Sequence, residues 1–231
     1  MVLITLTIAP VITLLAPFSM KTSWRATRIW ARAILWAVGA ELIVRNESGL
    51  DNPITGAVYV SNHQSYLDVV SLIAAFDGGF RFLAKRTLLL LPGVNIVLLG
   101  QKHLLISRAR PWKALKKLLT AAPEFLSGES RIFLFPEGAR SWDGKVGEFR
   151  DGASAMAIRA KTPVVPVAIA GSRDVLPRGN WPVRKGKITL VIGPPTETAG
   201  LHIRDRKQLT FQLRGWIIST IEKIRQENKS S

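Results

Sequence analysis

From Ile54 onward, short apolar runs alternate with longer amphipathic stretches, and that alternation leaves few folds open. Strands are expected at 56–60, 80–84, 102–106, 131–135, 163–169 and 187–192, and helices at 65–77, 111–126, 151–161 and 205–226. In the last helix Leu209, Leu213, Trp216, Ile217, Ile221 and Ile224 share one face at helical spacing, with Arg214, Lys223 and Arg225 off its centre. Strands separated by helices bury their apolar surface as a sheet with helices on its faces. The expectation is an α/β fold built on a mixed sheet. With 47% apolar residues in a chain of 231, one large domain with a sizeable core is affordable, and there is neither a repeat nor a low-complexity linker.

Ahead of that domain, residues 1–20 carry no charged side chain, a run long enough in helical form to reach roughly across a hydrocarbon layer. Pro10 and Pro17 interrupt it, and no basic segment precedes it as in a secretory signal. Lys21, Arg25, Arg28 and Arg32 follow at once, which keeps the remainder on the cytoplasmic side by the positive-inside rule. A helix is expected over 24–44, with the three arginines in one stripe flanked by Trp24 and Trp36, and Ile29, Trp30, Ala33, Ile34 and Val38 around the rest. Arginine heads beside tryptophan rings suit the headgroup level of a bilayer; the alternative is a helix packed on the core. The chain thus divides into a membrane-associated helical segment, 1–48, and an α/β domain, 49–231. Its expected place is the cytoplasmic face of the inner (plasma) membrane.

Thirty-two basic against sixteen acidic residues give a formal charge of +16, which favours an anionic partner: nucleic acid, anionic lipid or a phosphorylated substrate. Most tryptophans lie in apolar segments instead of alternating with basic residues on a binding surface, so nucleic acid is not the expected partner. The absence of cysteine excludes thiolate chemistry and disulfides.

Two stretches carry polar groups where a sheet would expose them. In Ser61-Asn62-His63-Gln64-Ser65-Tyr66-Leu67-Asp68, a strand runs into a helix. His63 and Asp68 would point about 140° apart on one continuous helix, but in a turn entering a helix they can meet. A carboxylate on one ring nitrogen leaves the other free to take a proton. The competing reading is a His and an Asp that cap a helix and tie down a loop. The second stretch follows the strand Arg131–Phe135: Pro136-Glu137-Gly138-Ala139-Arg140-Ser141, beyond the carboxyl end of a strand, where ligands of open α/β sheets bind. Gly138 permits close approach, Arg140 offers a planar fork for phosphate, and Glu137 could accept from a hydroxyl or orient that arginine. Among Lys102, Arg108, Arg110, Lys113, Lys116 and Lys117, Arg108 at a strand end is placed most like a site residue. The run 88–99, broken by Pro92-Gly93, reads either as core or as the lining of an alkyl channel.

Asn62 to Asp68 resembles the His-x4-Asp motif of the glycerolipid acyltransferases, and Phe135 to Ser141 resembles their Phe-Pro-Glu-Gly-Thr-Arg-Ser motif. Lys85, Pro92-Gly93, Gly100 and Ile106-Ser107-Arg108 are similar to the family's middle motif, and Val164 to Ile169 to its fourth, in order and spacing. The resemblance runs from about residue 55 to 195 and is greatest to the bacterial 1-acylglycerol-3-phosphate type. It implies acyl transfer from acyl-CoA or acyl-acyl carrier protein to a lysophospholipid acceptor at an anionic membrane surface, with no cofactor and no metal. His63 would be the general base and Asp68 its orienting carboxylate. Glu137, Gly138, Arg140, Arg108 and Lys85 would bind substrate. Ala139, Ser107 and Thr87 depart from the family's usual threonine, aspartate and glutamate, and these changes bear on the acceptor headgroup.

Overall fold

A computed structural model describes residues 19–90, 94–106, 130–179 and 183–230, with positions 116, 119, 120, 122, 123 and 126. The uncharged run up to residue 18, Pro92-Gly93, Ser107, Arg108 and most of the expected helix 111–126 lie outside the described residues.

Seven strands form one sheet: β1 (Ala40–Asn46), β2 (Val58–Ser61), β3 (Phe80–Lys85), β4 (Leu104–Ile106), β5 (Arg131–Leu134), β6 (Val164–Ala170) and β7 (Gly186–Ile192). Their spatial order is β1-β7-β6-β2-β5-β3-β4. Every neighbouring pair is parallel except β6 with β7, so the sheet is mixed, as expected. β2 and β6 are buried along their whole length. A parallel strand covered on both faces has no polar side to present, which is why Val58-Tyr59-Val60 and Val164 to Ala170 read as unbroken apolar runs.

Helices cover both faces. On one side α1 (Met20–Ala37), α2 (Leu67–Ala75) and the short α5 (Ser172–Val175) pack over Tyr59, Phe80, Phe133, Val167 and Ile188. On the other, α4 (Gly152–Ala160) and α6 (Arg206–Ser230) close over Val60, Ile132, Leu134 and Ala168. The α6 residues Leu209, Leu213, Ile217, Ile221 and Ile224 are all buried there, the stripe that the spacing foretold. A seven-residue helix α3 (Val94–Gly100) lies in the apolar run between β3 and β4.

The expected helix over 24–44 ends at Ala37, and residues 40–46 form the edge strand β1. Gly39 turns the chain between them at φ +68, a conformation that stops a helix and that side chains other than glycine rarely adopt. The placement of Trp24 at a membrane surface is also corrected. Its ring is buried, 4.4 Å from that of Phe80, because the face of α1 carrying Trp24, Ala31, Ile34 and Leu35 is the one that meets the sheet. Arg28 leaves the basic stripe as well: it donates to the Ala74 carbonyl and pairs with Asp77, binding α1 to the end of α2.

Candidate active site

β2 ends at Ser61, in the middle of the sheet, and the chain turns through Asn62 to Tyr66 before α2 begins. Central position alone would not fix that turn; its side chains do. Asn62 donates to the Ile169 carbonyl (2.8 Å) and accepts from the Ile169 amide (2.9 Å), copying a ladder pair where β2 runs out. Gln64 donates to the Gly144 carbonyl and Ser65 to that of Leu176. All three side chains are buried and paired, as buried polar groups must be.

The frame brings His63 and Asp68 together. His63 Nδ1 lies 2.8 Å from Asp68 Oδ2, which also accepts the amides of Gln64 (2.6 Å) and Ser65 (2.8 Å). Asp68 is wholly buried, while the His63 side chain keeps 17% of its surface exposed. The ring is stacked on Phe135, centroids 4.1 Å apart and planes 18° from parallel. One ring nitrogen is thereby committed to the carboxylate, one face to an aromatic ring, and Nε2 remains.

Phe135 follows β5, the strand beside β2, so the second stretch arrives next to the first. Gly138 donates to the Phe135 carbonyl (3.0 Å), closing a tight turn with Gly138 at φ +72. A Cβ there would also come within 3.4 Å of the Arg150 guanidinium. Glu137 does not orient Arg140. Its Oε1 accepts the His63 amide (2.7 Å) and its Oε2 the Gly147 amide (3.0 Å), while Ser141 donates its own amide to the His63 carbonyl (2.8 Å). The two stretches are therefore joined through the backbone of His63. Burial raises the Glu137 carboxyl above its ordinary range, against the two amides that favour its charged form.

Arg140 stands at the rim, its guanidinium 3.6 Å above the ring of Tyr66. Arg178 donates to the Arg140 carbonyl and lies 3.7 Å above the ring of Trp142. Tyr66, Trp142 and Arg178 come from separate segments, so sequence reasoning did not join them in one site. Lys85 is the last residue of β3, a strand parallel to β5, and Arg108 lies outside the described residues. No group of three or more metal-ligating side chains occurs among the described residues.

Residues 41–170, more than half of the chain, match the acyltransferase family. The chain belongs to that family. Within it, a 1-acyl-sn-glycerol-3-phosphate acyltransferase of Pseudomonas aeruginosa is 32% identical over 197 residues, 84% of this chain and 76% of that protein. A chloroplastic enzyme of the same name from Arabidopsis thaliana is 28% identical over 80% of this chain, and the human alpha form 28% over 72%. The chain spans 52% of the length of the plant protein and 59% of the human one. The crystal structure of the 1-acyl-sn-glycerophosphate acyltransferase of Thermotoga maritima superposes with a TM-score of 0.76 at 23% identity, covering 97% of this chain and 95% of that one. That likeness extends the shared fold of this acyltransferase beyond the matched segment, to α1 and to α6.

Proposed function

We propose that this acyltransferase moves an acyl group from a thioester to the free hydroxyl of 1-acylglycerol-3-phosphate, forming phosphatidic acid for phospholipid synthesis. The observation that carries the reading is the His63–Asp68 pair at 2.8 Å, one partner fully buried and the other part-exposed. A carboxylate that already accepts two amides has only acceptor capacity left for the ring, so His63 holds its proton on Nδ1 and presents the Nε2 lone pair.

The acceptor hydroxyl gives its proton to Nε2 as its oxygen forms a bond to the thioester carbonyl carbon. The carbon–sulfur bond then breaks, and the leaving thiolate takes the proton from the imidazolium. Asp68 holds the ring and offsets its transient charge. Arg140 holds the acceptor phosphate, which turns a bimolecular encounter into a positioned attack. No step calls on a cofactor. The donor is acyl-CoA or acyl-acyl carrier protein. Purified protein given both donors and a panel of acceptors, read by mass spectrometry, tests the reading; acylation of glycerol-3-phosphate or a lyso-aminolipid in preference to 1-acylglycerol-3-phosphate overturns the acceptor assignment.

The reading includes attachment to the anionic cytoplasmic surface of the inner membrane. No helix among the described residues is long and apolar enough to cross a membrane. Support comes from the outer face of α1, where Arg25, Ile29, Arg32 and Trp36 are exposed at helical spacing, Trp36 by 83%. Attachment through apolar residues survives a 1 M salt wash, which shortens the Debye length to about 3 Å; quantitative release would show attachment by charge alone.

A further inference from the structure

The rim beside Arg140 holds more cationic donors than one phosphate arginine. Tyr66 and Trp142 are 62% and 69% exposed, and each has a guanidinium laid on its face, Arg140 on the first and Arg178 on the second. Stacking uses the faces of a guanidinium and leaves its in-plane N–H groups available to an anion. Arg178 spends one donor on the Arg140 carbonyl, which ties its side chain to the backbone that carries Arg140. A third arginine, Arg173, donates to the Trp142 carbonyl (2.9 Å) and braces the turn that carries the ring.

No carboxylate among the described residues pairs with Arg140, Arg173 or Arg178. Asp143, the acid in the same turn, is engaged by the Ser141 hydroxyl and the Lys145 amide. The segment bearing Arg178 is anchored to the catalytic turn, because Ser65 donates to Leu176 two residues earlier (2.7 Å). Positive charges with no carboxylate partner repel one another, and an anion between them removes that cost.

We propose that Arg178, perched on Trp142, is a second headgroup residue that grips the acceptor phosphate together with Arg140. The proposal deepens the function read above and rests on it. A phosphate monoester dianion accepts from two forks at once, and loss of one charged contact is worth about 10- to 100-fold in affinity.

The test compares wild type with Arg178→Ala, Arg178→Lys and Trp142→Ala on 1-acylglycerol-3-phosphate in detergent. Acceptor is varied at saturating donor, then donor at saturating acceptor. Arg178→Ala is expected to raise the acceptor KM about 10- to 100-fold, with the donor KM within about twofold. Arg178→Lys recovers part of the loss, keeping charge without the fork. Trp142→Ala raises the same KM by less, and it carries the test if Arg178→Ala does not fold. An unchanged acceptor KM in a folded Arg178→Ala protein overturns the proposal, and so does a rise in the donor KM in its place, which would assign Arg178 to the donor's phosphates. Should wild type fail to acylate 1-acylglycerol-3-phosphate, the proposed function falls separately. Inorganic phosphate then reads the site without acyl transfer: it is expected to raise the melting temperature of wild type more than that of Arg178→Ala, and equal shifts overturn the inference.

Discussion

Two histidines in this protein have opposite surroundings. His63 is part-exposed, stacked on one ring and bonded to a buried carboxylate. His103, just before β4, sits between Trp24 and Phe82, with both ring centroids 5.8 Å away, and its Nδ1 accepts the Phe82 amide at 3.0 Å. No carboxylate among the described residues pairs with it, and burial, with the charge of Arg81, lowers its pKa to about 4. His63 has a carboxylate partner for the charged state. His103 has none; it is a neutral acceptor that finishes a strand edge. The residue type and the partial exposure are shared, and the partner sets the difference.

The sharpest way to break that contrast is to delete each ring in turn. Losing a general base costs about 10²–10⁴ in rate, so His63→Ala is expected to lower kcat by that order while leaving acceptor KM nearly unchanged. His103→Gln, which keeps an acceptor for the Phe82 amide, should hold kcat within a few-fold. Steady-state kinetics on both proteins, with folding checked by circular dichroism, decide it. A His63→Ala enzyme of near-native kcat would leave the pair as a helix cap and loop tie.

Acid should separate the two rings in stability. The ordinary histidine pKa of 6.5 falls to about 4 at His103 in the folded chain. Between those values the unfolded chain binds the proton and the folded chain does not, so stability is full above about pH 6.5 and is lost as pH falls toward 4. The shift corresponds to about 3 kcal/mol over the window. Glu137 acts in the opposite sense: its raised pKa makes the folded state the readier proton acceptor as pH falls through that value. Denaturant melts of wild type and His103→Gln across pH 7 to 4 isolate the histidine contribution. Parallel curves would show that His103 is protonated without cost.

The sheet was largely legible in the sequence because strands buried on both faces have to be apolar throughout, as β2 and β6 are. β1 was not. At the sheet edge its burial alternates irregularly, and Ile34, Val38 and Leu42 happen to continue a helical spacing across the turn. Gly39 was the available signal, a glycine where a helix stops. The His63–Asp68 and Glu137–Arg140 stretches could be found because their chemistry lies within a few residues. The bonds from Glu137 to the amides of His63 and Gly147 could not, since backbone donors leave no mark in a sequence. Nor could the pairing of Arg178 with Trp142, made by two loops 36 positions apart.

A smaller effect than either histidine's marks the outer edge of the reactive site. In the proposed function Arg140 holds the acceptor phosphate before and during reaction, so its contribution would be nearly uniform and appear in KM. Arg140→Ala is expected to raise acceptor KM about 10- to 100-fold, the worth of one charged hydrogen bond, with a lesser fall in kcat from poorer aim. Varying acceptor at saturating donor measures both. A large kcat loss with unchanged KM would move Arg140 from holding the phosphate to the chemistry at the thioester.

The smallest effect belongs beside His103. Gln101 is buried there, and its Nε2 donates to the hydroxyls of Ser23 (3.1 Å) and Thr27 (2.6 Å), tying α1 to the turn after α3. Its Oε1 finds no partner among the described residues. Gln101→Met therefore removes two favourable bonds and one unmatched acceptor in a side chain of similar length. Thr27 keeps a use for its hydroxyl, which already donates to the Ser23 carbonyl at 2.9 Å. A bond to a neutral partner is worth about 1 kcal/mol net, and an unmatched buried oxygen costs about 1–3 kcal/mol, so the two changes nearly offset. The expected shift in unfolding free energy is within about 1 kcal/mol, with kcat and acceptor KM unchanged. A loss of several kcal/mol would show that the oxygen is satisfied in solution and that this junction is a fully paired network. A loss of kcat without loss of stability would couple α1 to the reactive site and undo the separation between the two histidine regions.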